Sequence, residues 1–265
     1  MRITSLVDDV SRGACTAEHG LSLHIALDCG TKILFDFGQG DLFARNARAL
    51  GIDISDVDVA VLSHGHYDHG GGLATFLRIN SKAKVYVRRT SFGSRRSVRD
   101  GVEREIGVPR PDSDRIVVCS GPAEISDSLV LLCDPVRDFP EPPGNSRLLG
   151  PSGARDTFSD EQSLLVGEGC NRVLFGGCAH RGIANILHSA LTVPGNAVTH
   201  VFSGMHVGRG CVSETYVADL AQALAAREGI RYCTMHCTGE EGFAGLKRVL
   251  GDRIGYLSCG ESVTV

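Results

Sequence analysis

Between Ser63 and Gly72 the chain reads Ser63-His64-Gly65-His66-Tyr67-Asp68-His69-Gly70-Gly71-Gly72, which puts four side chains able to bind a metal ion within six residues. A helix cannot gather them, because His64 and His66 fall on opposite faces at that spacing, so an irregular loop is required. The glycines around them free the backbone to wrap around a point. His64 and His66 can then converge on one cation while Asp68 and His69 face a second about 3.5 to 4 Å away, the separation of two-metal hydrolytic sites. A lone histidine is usually a satisfied core residue, but four donors at this density are not. Such a set offers polarisation of a phosphoryl or carbonyl oxygen and activation of water, with Asp68 orienting the nucleophile or accepting its proton.

The elements around this loop follow from pattern. Ile3 to Val7, Leu21 to Leu27 and Lys32 to Phe37 read as strands, the last two joined by the turn Asp28-Cys29-Gly30-Thr31. Phe43, Ala47 and Leu50 share one helical face and Gly51 stops that helix. Asp58 to Ser63 is an apolar strand running into the histidine loop, followed by a helix from Leu73 to Ile79 and a strand from Ala83 to Val87. The second half repeats the order: strands Ser163 to Val166 and Arg172 to Phe175, a polar cluster, a helix from Gly182 to Leu191, strand Thr199 to Ser203, helix Glu214 to Glu228, strand Ile230 to Thr234 and helix Glu241 to Leu250. Two similar halves predict two sheets packed face to face with helices outside, a four-layer α/β arrangement with the polar clusters at one rim.

Two segments break the pattern. A basic insertion at about 88–115 carries seven arginines from Arg88 to Arg110 against Asp100, Glu103 and Glu105, and reads as a helical lid or as a solvated charged helix. Residues 134–159 form a Pro/Gly-rich loop, and a loop of that length is usually functional or disordered.

The 265 residues are 42% hydrophobic and 22% charged with a net charge of -4, the balance of an ordinary globular protein that a single domain over 1–265 can accommodate. Net charge attracts neither nucleic acid nor an anionic membrane, and no apolar run is long enough to span a bilayer. The amino terminus lacks signal-peptide features, so the expected location is cytoplasmic. Ten cysteines without CxxC pairs are read chiefly as reduced core residues.

The motif His-x-His-x-Asp-His after a strand resembles the signature of the metallo-β-lactamase superfamily, which implies an αββα sandwich with metals at the rim. Leu34-Phe35-Asp36-Phe37-Gly38 is similar to the family's early strand, making Asp36 an acceptor that orients a ligand histidine; its alternative is a turn cap. Glu18-His19-Gly20-Leu21-Ser22, the histidine loop, Gly177-Cys178-Ala179-His180-Arg181-Gly182-Ile183 and His236-Cys237-Thr238-Gly239 together resemble the dihydropteroate-synthase-like subgroup. Its named member condenses a dihydropterin diphosphate with a ribofuranosyl-aminobenzene phosphate. Where the superfamily's bridging aspartate stands, this chain has Cys178, a soft ligand for zinc or iron. The third-motif histidine is absent; His180 is the favoured replacement, with Asp160, Glu161 and His206 as the others. His236 falls at the last ligand position, and His206 is a competing ligand or a substrate contact. His19, His24, His188 and His200 are read as structural.

The resemblance implies one or two divalent cations, zinc first with iron or manganese as alternatives, and a phosphorylated or diphosphorylated small-molecule substrate. The helix starts before Gly182 and Glu241 offer anion sites, with Arg181, Asn185, Arg95 and Arg96 as contacts. The alternatives are a generic metallo-hydrolase of esters, lactones or phosphodiesters, and a non-catalytic protein whose metal shell is closed. A nucleic-acid partner is disfavoured because the chain lacks an overall basic surface.

Overall fold

A computed structural model describes residues 1–193, 195, 197–208 and 213–265. Along the chain these form β1 (Arg2–Val7), β2 (Ser22–Ala26), β3 (Lys32–Phe35), α1 (Leu42–Ala49), β4 (Val59–Val61), α2 (Tyr67–Gly70), α3 (Leu73–Ile79), β5 (Lys84–Arg88), β6 (Arg96–Arg99), β7 (Val102–Glu105) and β8 (Ile116–Cys119). They continue as β9 (Ala123–Ser126), β10 (Leu129–Cys133), β11 (Leu148–Leu149), β12 (Gln162–Glu168), β13 (Asn171–Phe175), α4 (Ile183–Thr192) and β14 (His200–Ser203). Last come α5 (Glu214–Ala225), β15 (Arg231–Thr234), α6 (Gly239–Leu250), β16 (Ile254–Tyr256) and β17 (Ser262–Thr264). Two units result, one from Met1–Ser120, Arg147–Glu161 and Leu257–Val265, the other from Gly121–Ser146 and Gln162–Tyr256.

In the first unit a seven-stranded sheet runs β17-β1-β2-β3-β4-β5-β8. The β2–β3 pair is the antiparallel hairpin predicted by its turn residues, and β3, β4, β5 and β8 are parallel. Phe43, Ala47, Leu73 and Phe76 from α1 and α3 bury against Leu34, Ala60, Leu62 and Val85. The apolar period of 3.6 in the helices thus meets the period of 2 in the strands, the consistency that fixes which face is inward.

The second unit repeats the scheme with order β16-β15-β14-β13-β12-β10-β9. Strands β13 to β16 are parallel and β12 pairs antiparallel with β13. Leu187, Leu220, Leu224 and Leu246 of α4, α5 and α6 cluster with Leu165, Leu174, Val201 and Tyr232 of the strands. Among the described residues no helix is long and apolar enough to cross a membrane.

The basic insertion is not helical. β6 and β7 form an antiparallel hairpin, turning at Asp100-Gly101 with φ of +51° and +75°. An Asp-Gly pair at two left-handed positions is a hairpin turn, and that signal outweighs the helical reading of the arginines. β11, inside the Pro/Gly-rich segment, adds to β6 as a third strand. The strands β8, β9, β10, β16 and β17, which the pattern does not assign, are short pieces of three to five residues near the sheet margins.

His24 on β2 is structural, as expected. Burial first, then the charges of Lys32 and Arg2, push its pKa down from 6.5 to about 4. Unfolded chain therefore takes up a proton that the native state refuses as the pH falls from 6.5 toward 4, and stability present above 6.5 is lost across that window. Urea unfolding at about pH 4.5 and pH 7 should show a loss of about 2 to 3 kcal/mol assignable to this group. His24→Gln should remove that part of the pH dependence.

Candidate functional site

In the first unit, β3 ends at Asp36 and β4 ends at the histidine loop, so parallel pairing sets the two side by side. The Asp36 carboxylate is fully buried and accepts three hydrogen bonds, each 2.7 Å: from Ser63 N–H, from Ser63 Oγ and from His69 Nδ1. Its left-handed backbone, φ +62°, is one that aspartate tolerates better than most residues. These contacts fix protons. Because Ser63 Oγ must donate to the carboxylate, it can only accept from His64 Nδ1, 2.9 Å away. His69 likewise carries its proton on Nδ1. Both rings therefore turn an Nε2 lone pair outward, the form a metal requires. His64 Nε2 and His66 Nδ1 lie 3.0 Å apart, a distance that one shared proton or one cation must bridge.

Asp68, also buried, has Oδ2 3.1 Å from His19 Nε2, while His19 Nδ1 sits 3.2 Å from the Asp9 carboxylate. His19, read as structural from sequence, thus belongs to the surroundings of Asp68. Its membership of the Glu18-His19-Gly20 motif was the available signal.

Arg95 and Arg96 of the insertion are both engaged in ion pairs. Arg95 is 1% exposed and gives Nε to Asp156 at 3.2 Å and Nη2 to Asp160 at 3.0 Å. Asp160 Oδ2 also accepts the Gly65 N–H at 2.6 Å. The hairpin therefore pins the histidine loop from behind through Arg95 and Asp160. A Cβ on Gly65 would run into Ser91 O, so the close approach requires glycine there. Burial raises the Asp160 pKa against the pull of Arg95 and the Gly65 N–H. Glu161 is buried on the same segment. Arg96 pairs with Glu103 at 2.7 Å.

In the second unit, β13, β14 and β15 end in Gly176–Arg181, Gly204–His206 and Met235–Thr238. Cys178, His180 and His236 are buried. His180 Nδ1 is 2.9 Å from Asn145 Oδ1, and Asn145 Nδ2 donates to His180 O at 2.6 Å, which orients the amide and sets the proton on Nδ1. The Pro/Gly-rich segment thus serves to bring Asn145 behind His180. The His206 ring lies 4.3 Å from the His180 ring. Cys178 Sγ, Cys237 Sγ and a ring nitrogen of His206 fall within 4.8 Å of one another. Burial alone would raise the Cys237 thiol, but hydrogen bonding with Cys178 and His206 and the charges of His236 and His206 hold it well below its ordinary range. Cys237 was missed as a donor, although its motif had been singled out.

Two expected anion contacts are corrected. Asn185 spends its amide on Phe139 N, Phe139 O and Arg181 O, so it caps a loop. At the start of α6 the exposed Glu240 and Glu241 occupy the first turn and repel an anion. Arg181 pairs with Asp134 at 2.7 Å.

A mixed α/β chain with histidine clusters at the ends of parallel strands has donor groups that could hold a metal ion. A family model of the metallo-beta-lactamase superfamily matches residues 17–190, and the chain belongs to that superfamily. The superfamily generally binds divalent metals and its members are mostly metal-dependent hydrolases. A crystal structure of a metal-dependent hydrolase of the beta-lactamase superfamily superposes with TM-score 0.82 at 29% identity, covering 100% of this chain and 99% of that one. An uncharacterised protein of Methanocaldococcus jannaschii is 26% identical over 89% of this chain and 90% of its own. The 7,8-dihydropterin-6-methyl-4-(beta-D-ribofuranosyl)-aminobenzene-5'-phosphate synthase of the same organism is 25% identical over 84% of this chain and 82% of its own.

Two predictions follow from these contacts. Asp36→Asn keeps the backbone conformation but replaces the acceptor of His69 Nδ1–H, and zinc affinity measured by chelator competition should fall about 10- to 100-fold. Arg95→Met leaves the carboxylates of Asp156 and Asp160 buried without their counter-charge, and urea unfolding should show a loss of about 3 to 5 kcal/mol.

Proposed function

We propose that the protein is a metal-dependent enzyme acting on a phosphorylated or diphosphorylated small molecule, in the manner of the condensing synthase it resembles. The observation that carries this reading is the similarity to that synthase over most of both chains, joined to an intact His64, His66, Asp68, His69 motif. The ligands in this reading are those four together with Cys178, His180 and His236. The donor chemistry fits a divalent ion of the zinc type, because His64, His69 and His180 each hold their proton on Nδ1 and present Nε2. Bound there, such an ion supplies Lewis-acid polarisation of a phosphoryl oxygen. The protein's own part is to fix these rings through Asp36, Ser63 and Asn145 and to hold Asp68 against His19, where its carboxylate orients the nucleophile or accepts its proton.

Hydrolysis of esters, lactones or phosphodiesters is the second reading, favoured by the whole-chain likeness to a metal-dependent hydrolase. Zinc-loaded protein incubated with dihydropterin diphosphate and ribofuranosyl-aminobenzene phosphate should release diphosphate and form the coupled product. Turnover of chromogenic esters or phosphodiesters with no diphosphate release would overturn the synthase reading in favour of the hydrolase.

A further inference from the structure

We propose that Cys178, Cys237 and His206 form a sulfur-rich cation site, which takes a borderline-soft ion such as zinc or iron(II) and rejects magnesium and manganese. The proposal deepens the metal-dependent reading above and rests on it, since Cys178 belongs to both ligand sets.

The three residues come from three neighbouring strands of one sheet. Phe175 of β13 pairs with Phe202 of β14, which pairs with Cys233 of β15, all in parallel. Cys178, His206 and Cys237 follow these in-register positions by three or four residues, so the chain leaves the sheet at one edge and delivers all three at the carboxyl ends of the strands, where parallel sheets bind ligands. Each exit bends through a left-handed residue: Ala179 at φ +52°, His206 at +48° and His236 at +49°. Left-handed non-glycine residues concentrated at one spot are stored strain, and such strain collects at functional sites.

The packing is built around sulfur. A Cβ at Gly204 would lie 2.5 Å from Cys237 Sγ, so glycine at that position is what lets the thiol reach in. The His206 N–H points at Cys237 Sγ from 3.2 Å, a donor suited to a thiolate. The Thr238 hydroxyl accepts from Met205 N–H at 2.9 Å and hydrogen-bonds Thr234, which ties the Cys237 turn to the His206 turn. Cys178 and Cys237 are buried and unbridged, and the three donor atoms already lie within 4.8 Å of one another. His206 is half-buried beside the two thiols, and its Nδ1 has no hydrogen-bond partner among the described residues. A buried imidazole nitrogen in that state costs free energy unless something binds it. Two thiolates and one imidazole are soft to borderline donors, which bind zinc, iron(II) and copper(I) in preference to the hard ions that oxygen ligands select. Three protein donors also leave the fourth tetrahedral position open, the pattern of reactive rather than structural zinc sites.

The test is cobalt(II) substitution of the full chain carrying Cys29→Ser and Cys170→Ser, which removes the exposed thiols among the described residues. A near-ultraviolet thiolate-to-cobalt charge-transfer band should appear, be displaced by zinc and persist in excess magnesium or manganese. Because band intensity follows the number of thiolates, Cys237→Ser should lower it by about half, and the Cys178→Ser, Cys237→Ser double variant should abolish it. X-ray absorption on zinc-loaded wild-type protein reads the same quantity without a variant and should give two sulfur neighbours at about 2.3 Å. Cobalt bound without a thiolate band, a band unchanged in Cys237→Ser, or fewer than two sulfur neighbours would overturn this site while leaving the metal-dependent reading in place. Failure of the wild-type protein to bind cobalt or zinc at all would overturn both readings.

Discussion

One buried carboxylate governs the histidine loop. Asp36 lies where no water reaches it, and an ionised group there is tolerated only when its lone pairs are filled. Ser63 N–H, Ser63 Oγ–H and His69 Nδ1–H fill them, and the choice of donors decides the protonation of two imidazoles at once. His69 is set directly and His64 through the serine hydroxyl, so a single negative charge presents two basic nitrogens. The cost of burying the charge and the preparation of the loop are therefore the same interaction, and any substitution that relieves the first undoes the second.

The second unit reaches a comparable result by different means. There the donors sit on three adjacent exits of a parallel sheet, and neutral partners orient them: the Asn145 amide for His180 and the Thr238 hydroxyl for the His206 turn. Sheet pairing sets the spacing of the exits to that of neighbouring strands, and strained left-handed residues close the remaining gap. A chain that pays this strain on three consecutive connections gains convergence of side chains that are 59 residues apart in sequence, as Cys178 and Cys237 are.

Much of this was legible in the sequence where pattern and chemistry coincide. The hairpin of β2 and β3, the helices α1, α3, α4, α5 and α6 and the alternation of strand and helix all follow from hydrophobic period and turn residues, since burial of one face is what selects each element. His64, His66, Asp68 and His69 declare themselves by density alone. The basic insertion misled, because its arginines mask an Asp-Gly turn and because net charge along a segment carries no information on which guanidinium is solvated. Arg95 is buried against Asp156 and Asp160, both more than sixty positions away, and no local pattern announces a long-range ion pair. His19 and Cys237 were passed over for a similar reason. Each sat in a noted motif, but its role depends on a partner, Asp68 or Cys178, that only the folded chain brings near.

In the proposed ligand set Cys178 stands where the superfamily pattern has an aspartate, and the softness of that donor bears on the chemistry. A carboxylate bridge is hard and accepts magnesium, manganese or zinc with little discrimination, whereas a thiolate favours the softer ions and donates more charge to them. More donated charge makes a bound cation a weaker Lewis acid toward an incoming oxygen. In the proposed reading that suits a reaction whose leaving group is already activated better than one that must generate a strong nucleophile from water. The exposed carboxylates of Glu240 and Glu241 at the start of α6 make that helix end unfavourable for an anion. The donor and charge choices of this chain thus sit on a scaffold with its own demands, a buried carboxylate in one unit and strained strand exits in the other.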